Sequence, residues 1–434
     1  RSVIVNEIRV LSSADDSIIT PKEDKVDPII FPDVIMTTTG SIKLVSTLPN
    51  FESLMNAYGI TIRYNAISKE AEVLLPWSEQ TDLNYVGAEI ISQCNMNGFP
   101  KGDVPQYIGA VATKNQYNPI KSWLNSKEWD GVDRFSEVTD LIKVPLEYEK
   151  AKNIYLKRWC FSAVGMLEND GNKGNEGVLV FQGDQGLGKT RWIKSLIGEM
   201  HQYFKDGLIV DPHSKDSVAT AISHWIVEIG ELDATFKKSD LAALKGFFTS
   251  TKDRFRRPFD RYDSVFPRTT VFFASVNDQQ FLKDTTGDRR YWCLPVKELS
   301  IPENYNAQQF WAQIKYMMNE EINSTKNDFI WYLNEEEIKI RDGLNEDFRE
   351  SNPIEEAITR RFPIDGDKYY ITSTDVANIL EIQANQANVS QIGRVLKQIY
   401  GEPKRTAKLR YYMVPLPGSW NMQTIALYNF KKVN

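Results

Sequence analysis

Cysteine and histidine are scarce, with three of each in 434 residues. Cys94, Cys160 and Cys293 lie far apart and form no C-x-x-C pair, which excludes a disulfide scaffold and a zinc knuckle and is expected of a reduced, cytosolic chain. His201, His213 and His224 lack the spacing of metal ligands and read as structural or surface residues. No apolar run approaches the roughly 18 residues that cross a bilayer, so no membrane partner is expected. The opening stretch, RSVIVNEIRVLSSADD, carries charges where a signal peptide needs its apolar segment. It does not begin with Met, as expected of the ordered part of something longer. There is no internal repeat. There is also no excess of positive charge: 52 Lys and Arg stand against 58 Asp and Glu, a net −6. Any contact with nucleic acid must therefore come from local basic patches rather than a global field.

What is present is apolar material for real cores, 41% hydrophobic and 12% aromatic. A chain this long is expected to divide into two to four domains. Residues 1–30 read as a linker, since LSSADDSIITPKEDKVDPII mixes Ser, Asp, Lys and Pro without periodicity. Residues 31–115 read as a small, mainly helical module. Within it, FESLMNAYG and YVGAEIISQCNMNG have helical spacing, and ITIRYNAISKEAEVLLP reads as a hairpin between them. Residues 116–300 begin with a Trp-rich connector and a long amphipathic helix, LEYEKAKNIYLKRWCFSAVGMLE. Short apolar strands then alternate with helices, the pattern of a parallel sheet wrapped by helices. A helical segment is expected over 301–362, and a separate module over 363–434.

At 176–196, EGVLVFQGDQGLGKTRWIKSL, a buried strand meets glycines and a lysine and then turns amphipathic. Gly183, Asp184, Gln185, Gly186, Leu187, Gly188, Lys189 and Thr190 fit G-x-x-x-x-G-K-S/T at every fixed position. Glycines let successive backbone N–H groups curl around phosphate oxygens. Lys189 can then reach the β- and γ-phosphates of ATP, and the Thr190 hydroxyl can ligate Mg²⁺. Arg191 closes the candidate nucleotide-binding set. The fold class predicted is α/β, with a P-loop NTPase core.

Hydrolysis also needs a carboxylate at the end of a neighbouring strand, to hold the metal and polarise water. SHWIVEIGELDA supplies Glu228, a candidate Mg²⁺ ligand with Thr190, and Glu231 three residues on; the division of labour between the two stays open. The strand RTTVFFASVN ends at Asn277, a polar residue placed to orient the attacking water. GDRRYW then offers Arg289 and Arg290, either of which can stabilise transition-state charge in its own or a neighbouring subunit's site.

With GDQGLGKT, WIVEIGELDA, SVFPRTTVFFASVN, TGDRRYW and the upstream WLNSKEWDGVDRF in hand, the chain resembles the virulence-associated E family of phages and mobile islands. That family is related to the helicase part of poxvirus-type primase-helicases and to superfamily 3 helicases. The resemblance covers roughly 117–300. It implies an AAA+-like core, usually a hexameric ring translocating on single-stranded DNA, often with a primase or primase-polymerase domain before it. It implies a phage- or mobile-element protein in the cytoplasm of a bacterial host.

Two stretches are candidate DNA contacts. STKDRFRRPFDRYDSVFPR, 250–268, holds six Lys and Arg against three Asp. In ring helicases this insert commonly forms a hairpin pointing into the central channel. Lys252, Arg254, Arg256 and Arg257 are the candidate phosphate contacts, and Phe255, Phe259 or Tyr262 can stack on bases. Between 394 and 410, six Lys and Arg face one Glu, on a helix, helix, wing pattern. That plan is a winged helix over 363–434, which binds duplexes, forks or proteins. The reading that follows is an ATP-dependent replicative helicase acting on single-stranded or forked DNA. The alternative is an ATP-switched initiator or loader, which uses the same motifs without processive unwinding. A P-loop kinase lacks support, because Arg289, Arg290 and the basic hairpin fit a ring on a polymer better than a small acceptor.

Overall fold

A computed structural model describes residues 31–433 apart from 169–170, 231–240, 256–262, 283–287, 302–304, 328–329, 350–352, 407–408, 421–422, 424 and 426–429. The expected linker at 1–30 lies outside the described residues. The chain divides into two compact units, one ending at Phe348 and the other beginning at Arg349.

The first unit opens with a short antiparallel pair, β1 (Val34–Met36) and β2 (Ile42–Leu44). Helix Leu48–Ala57 follows, its first turn capped by the Thr47 hydroxyl. Strands β3 (Thr61–Asn65) and β4 (Glu70–Leu74) form the expected hairpin, and β5 (Gln116–Tyr117) runs parallel to β3. Helices Leu83–Met96 and Val104–Lys114 complete this part. Its core holds Phe51, Leu54, Ile62, Tyr64 and Ile90.

After β6 (Ile142–Lys143) and helix Glu149–Gly165 comes the main sheet. Its region contains β7 (Val178–Gln182), β8 (Phe204–Leu208), β9 (Ile226–Ile229), β10 (Lys252–Phe255), β11 (Ser264–Pro267), β12 (Val271–Val276) and β13 (Tyr291–Pro295). Five of these lie side by side in the order β13-β7-β12-β9-β8, all parallel. The near-continuous apolar runs VLVF, VFFA and YWCL are buried, as a sheet covered on both faces requires. β14 (Glu298–Leu299) pairs back with β6.

Five fully buried tryptophans fill the core: Trp159, Trp192, Trp225, Trp292 and Trp311. Three of them also tie elements together. Trp159 Nε1 donates to the Phe272 carbonyl at 2.8 Å, Trp225 Nε1 to Ala163 at 2.9 Å, and Trp311 Nε1 to Leu196 at 2.8 Å. Helix Ala307–Thr325 pins the connector loop through three buried glutamines, of which Gln308 Nε2 donates to the Leu124 carbonyl at 3.0 Å and the Lys127 carbonyl at 2.8 Å. Gln309 Oε1 accepts from Asp130 N at 2.8 Å, and Gln313 Oε1 accepts from Arg134 N at 2.8 Å and Phe135 N at 2.9 Å.

The second unit comprises helix Pro353–Arg361, β15 (Lys368–Ile371), helices Ser373–Ile379 and Gln386–Tyr400, then β16 (Lys404–Arg405), β17 (Arg410–Pro415) and β18 (Lys431–Lys432). The strands form an antiparallel sheet in the order β16-β17-β15-β18. Ile358, Ile371, Val376, Ile392, Leu396 and Val414 form its core. The stretch 301–362 is thus divided rather than one segment. Helices Ala307–Thr325 and Glu335–Asn345 belong to the first unit, whereas Ile354, Ile358 and Phe362 pack into the second core. No helix among the described residues is long and apolar enough to cross a membrane.

Candidate active site

The glycine-rich loop follows β7 directly, and its shape comes from two backbone demands. Gly183 has no room for a side chain: a Cβ there would lie 2.5 Å from the Val296 carbonyl oxygen. Gly188 caps helix Lys189–Ser195 in the left-handed region, φ +82°, which glycine enters without penalty.

Lys189 starts that helix and is 7% exposed. Its ammonium donates to the carbonyls of Gly183 at 2.6 Å and Asp184 at 3.0 Å, and to Asn277 Oδ1 at 3.0 Å. Burial holds its pKa below the usual lysine value, opposed by the charges of Asp184 and Glu228. Asn277 immediately follows β12, whose Val276 is paired with Gln182 at the end of β7. The sheet register therefore brings Asn277 to the loop.

Glu228 sits on β9, 2% exposed. Its Oε1 accepts two hydroxyls, from Thr190 at 2.7 Å and from Ser275 at 2.7 Å. A buried polar group needs such partners to offset its loss of water. The sequence alone does not single out Ser275. Its signal was a small polar residue in the apolar run VFFASV, two positions before Asn277. Lys189, Thr190, Glu228 and Asn277 thus come together at one end of the sheet, while Glu231 lies outside the described residues.

Arg289 and Arg290 do not join them. They precede β13, whose Tyr291 is paired with Val178 at the start of β7, the end remote from the loop. Four residue steps of strand separate the two ends, roughly 13 Å. Arg289 is exposed and Arg290 half-buried. Burial, then the neighbouring Arg289 charge, lowers the pKa of Arg290. The backbone here is held from helix Glu335–Asn345: Arg341 Nη1 donates to the Arg289 carbonyl at 2.8 Å, and Asn345 Nδ2 to the Tyr291 carbonyl at 2.9 Å.

β10 and β11 form the expected antiparallel hairpin, with Arg254 opposite Val265 and Asp253 opposite Phe266. Strand alternation gives it two faces. Lys252 and Arg254 are exposed on one face, beside the 47% exposed Val265. Asp253 and Phe266 point the other way. Asp253 accepts a two-pronged bond from the fully buried Arg268, 2.6 Å to each oxygen, and that guanidinium lies over the Phe247 ring at 4.5 Å. Phe266 is buried in the core of the preceding module and stacks on Tyr64, centroids 6.4 Å apart. Arg256 and Arg257, with Phe259 and Tyr262, lie outside the described residues, and of Phe255 only its place at the end of β10 is described.

Residues 124–350, more than half of the chain, match the virulence-associated protein E-like domain, and the chain belongs to that family. No curated protein matches it. Among solved structures it is similar to two described as A-form apo structures of the NrS-1 C-terminal region. The first is 15% identical with a TM-score of 0.40, covering 85% of this chain and 98% of that one. The second is 12% identical with a TM-score of 0.37, covering 85% and 99%.

Proposed function

We propose that the chain is an ATP-dependent DNA helicase of replication, working as a ring on the superfamily 3-like AAA+ plan, with ATP and Mg²⁺ at this site. The observation that carries this reading is the convergence on Glu228 of the Thr190 and Ser275 hydroxyls, beside the Lys189–Asn277 contact. In this reading residues 183–190 are a P-loop whose N–H groups take the phosphates, and Arg191 follows them in the helix. Lys189 exchanges its loop carbonyls for the β- and γ-phosphate oxygens. Asn277 orients the attacking water, and Glu231 remains the second candidate carboxylate for polarising it.

The donors fit Mg²⁺: Thr190 and Glu228 offer two hard oxygens rather than a full protein cage, as suits an ion that shares its shell with water and phosphate. When bound, the ion neutralises phosphate charge. Thr190 and Glu228 hold each other in place for it.

Arg289 and Arg290, roughly 13 Å along the sheet from their own loop, serve a neighbouring subunit's nucleotide in a homo-hexamer. Lys252 and Arg254, with Arg256 and Arg257, take single-stranded DNA phosphates. The second unit is read as a winged helix with β16–β17 as its wing, engaging the fork. A primase or polymerase partner and a place in the host cytoplasm belong to the same reading.

Strand displacement on forked DNA tests it. ATP- and Mg²⁺-dependent displacement is expected, abolished in Lys189→Ala. ATP hydrolysis without displacement would favour the initiator or loader reading, and no hydrolysis at all would overturn both.

A further inference from the structure

The sheet face of the second unit opposite its core carries aromatic rings that the winged-helix reading leaves without a role. Along β15 and β17 side chains alternate: Tyr369, Ile371, Tyr412 and Val414 are buried in the core. Tyr370, Tyr411 and Met413 are half-buried on the opposite face. The register adds cations to that same face. Lys404 on β16 is opposite Tyr411, and Lys431 on β18 is opposite Tyr370, with Lys368 two residues before Tyr370 on the same side. All three lysines are exposed.

The rings are arranged rather than scattered. Tyr370 and Tyr411 meet edge to face, centroids 6.4 Å apart. Lys404 donates to the Tyr370 hydroxyl at 2.6 Å and lies 5.0 Å from its ring centre. Trp420, Ile425 and Phe430 pack against the core residues. Charge is concentrated here against the trend of the chain. From residue 386 onward eight Lys and Arg stand against one Glu, while the whole chain is net −6. That Glu, Glu402, is paired with Lys397.

We propose that this sheet face is a second DNA site, specific for single strands, on which bases stack against Tyr370 and Tyr411 while Lys368, Lys404 and Lys431 hold phosphates. A flat face with rings at its centre and cations at its edges suits unpaired bases, whose ring faces are accessible; in a duplex those faces are stacked away. From β16 to β18 the sheet spans three strand spacings, roughly 14 Å, room for a short stretch of strand. No residue of it belongs to the loop or the Glu228 cluster, so it is tested without nucleotide.

The test uses the full chain without ATP, and as parent a Lys252→Glu, Arg254→Glu, Arg256→Glu, Arg257→Glu variant that removes the hairpin's four candidate phosphate contacts. Binding of a dT oligonucleotide bearing 5-iododeoxyuridine is measured against salt, then cross-linked by light and the adducts mapped. Cross-links at Tyr370 or Tyr411 are expected. Adding Lys404→Glu and Lys431→Glu should flatten the log–log salt slope by about 1.4, two contacts at roughly 0.7 each. Adding Tyr411→Ala should weaken binding about 5- to 100-fold. The lysine changes are at exposed positions, so they decide the matter if Tyr411→Ala fails to fold. Unchanged affinity and slope in the lysine variant, or adducts confined to other residues, would overturn the proposal. Equal competition by a duplex or by polyglutamate would do so too.

Discussion

The ammonium of Lys189 lies 3.0 Å from Oδ1 of Asn277, a residue 88 positions later. The contact joins the loop after β7 to the end of β12, so a change at either position reaches the other. Lys189→Ala is expected to lower ATP turnover on the order of 10³-fold. Asn277→Ala should cost less, about ten- to a hundredfold, with nucleotide affinity largely kept. Steady-state hydrolysis and binding of a fluorescent nucleotide measure the two effects. Near wild-type turnover in Lys189→Ala would remove the loop from the reaction.

Glu228→Gln keeps the shape but removes the charge that Thr190 and Ser275 now satisfy. The expected result is a rise in the Mg²⁺ concentration needed for half-maximal nucleotide binding, with no large change in folding. Thr190→Ala should shift the same curve in the same direction. Titration of Mg²⁺ at fixed nucleotide gives the answer; unshifted curves in both variants would place the cation elsewhere.

Arg289→Ala and Arg290→Ala proteins should be inactive alone and partly active when mixed with Lys189→Ala. A mixed interface can carry one intact loop and one intact pair of arginines. Failure of rescue in subunits shown to co-assemble would mean that the arginines act within their own chain or support the fold.

Lys69 supplies a pH prediction. It is 3% exposed and hydrogen-bonded to the Ala66 carbonyl at 3.1 Å. Burial brings its pKa from 10.5 to about 7, with Asp253 opposing and Arg268 reinforcing the shift. Between those values the unfolded chain holds the proton and the folded chain does not. Stability therefore rises with pH through this window, by up to about 1.4 kcal/mol per unit. Lys69→Met should abolish that rise. Urea midpoints from pH 7 to 10 measure it, and a constant gap between the two proteins would refute it.

Much of the candidate site is readable in the sequence because it is local or ordered. The strand, loop and helix around Lys189 announce themselves within twenty residues, and the apolar strands that carry Glu228 and lead to Asn277 follow by composition. The β3–β4 and β10–β11 hairpins were also visible as alternating runs. Partners distant in sequence were not. Ser275 reads as a strand residue until Glu228 is placed beside it. Arg268 reads as one more positive charge in a basic stretch, yet it is fully buried against Asp253 and Phe247. The break at Phe348 was hidden because helices on both sides of it have similar amphipathic patterns, and only packing assigns them to different cores.

Phe266 leaves the hairpin for a core built by residues more than 150 positions earlier. Cutting the chain after Tyr117 to obtain a minimal catalytic fragment would therefore strip the cover from an aromatic ring on an edge strand, the kind of surface on which chains aggregate. The same anchoring limits movement. An interior packed to crystal density does not yield gradually, so the root of the hairpin and the sheet bearing Tyr64 must travel together or part at that stacked pair. The leading module is, in mechanical terms, ballast on the hairpin.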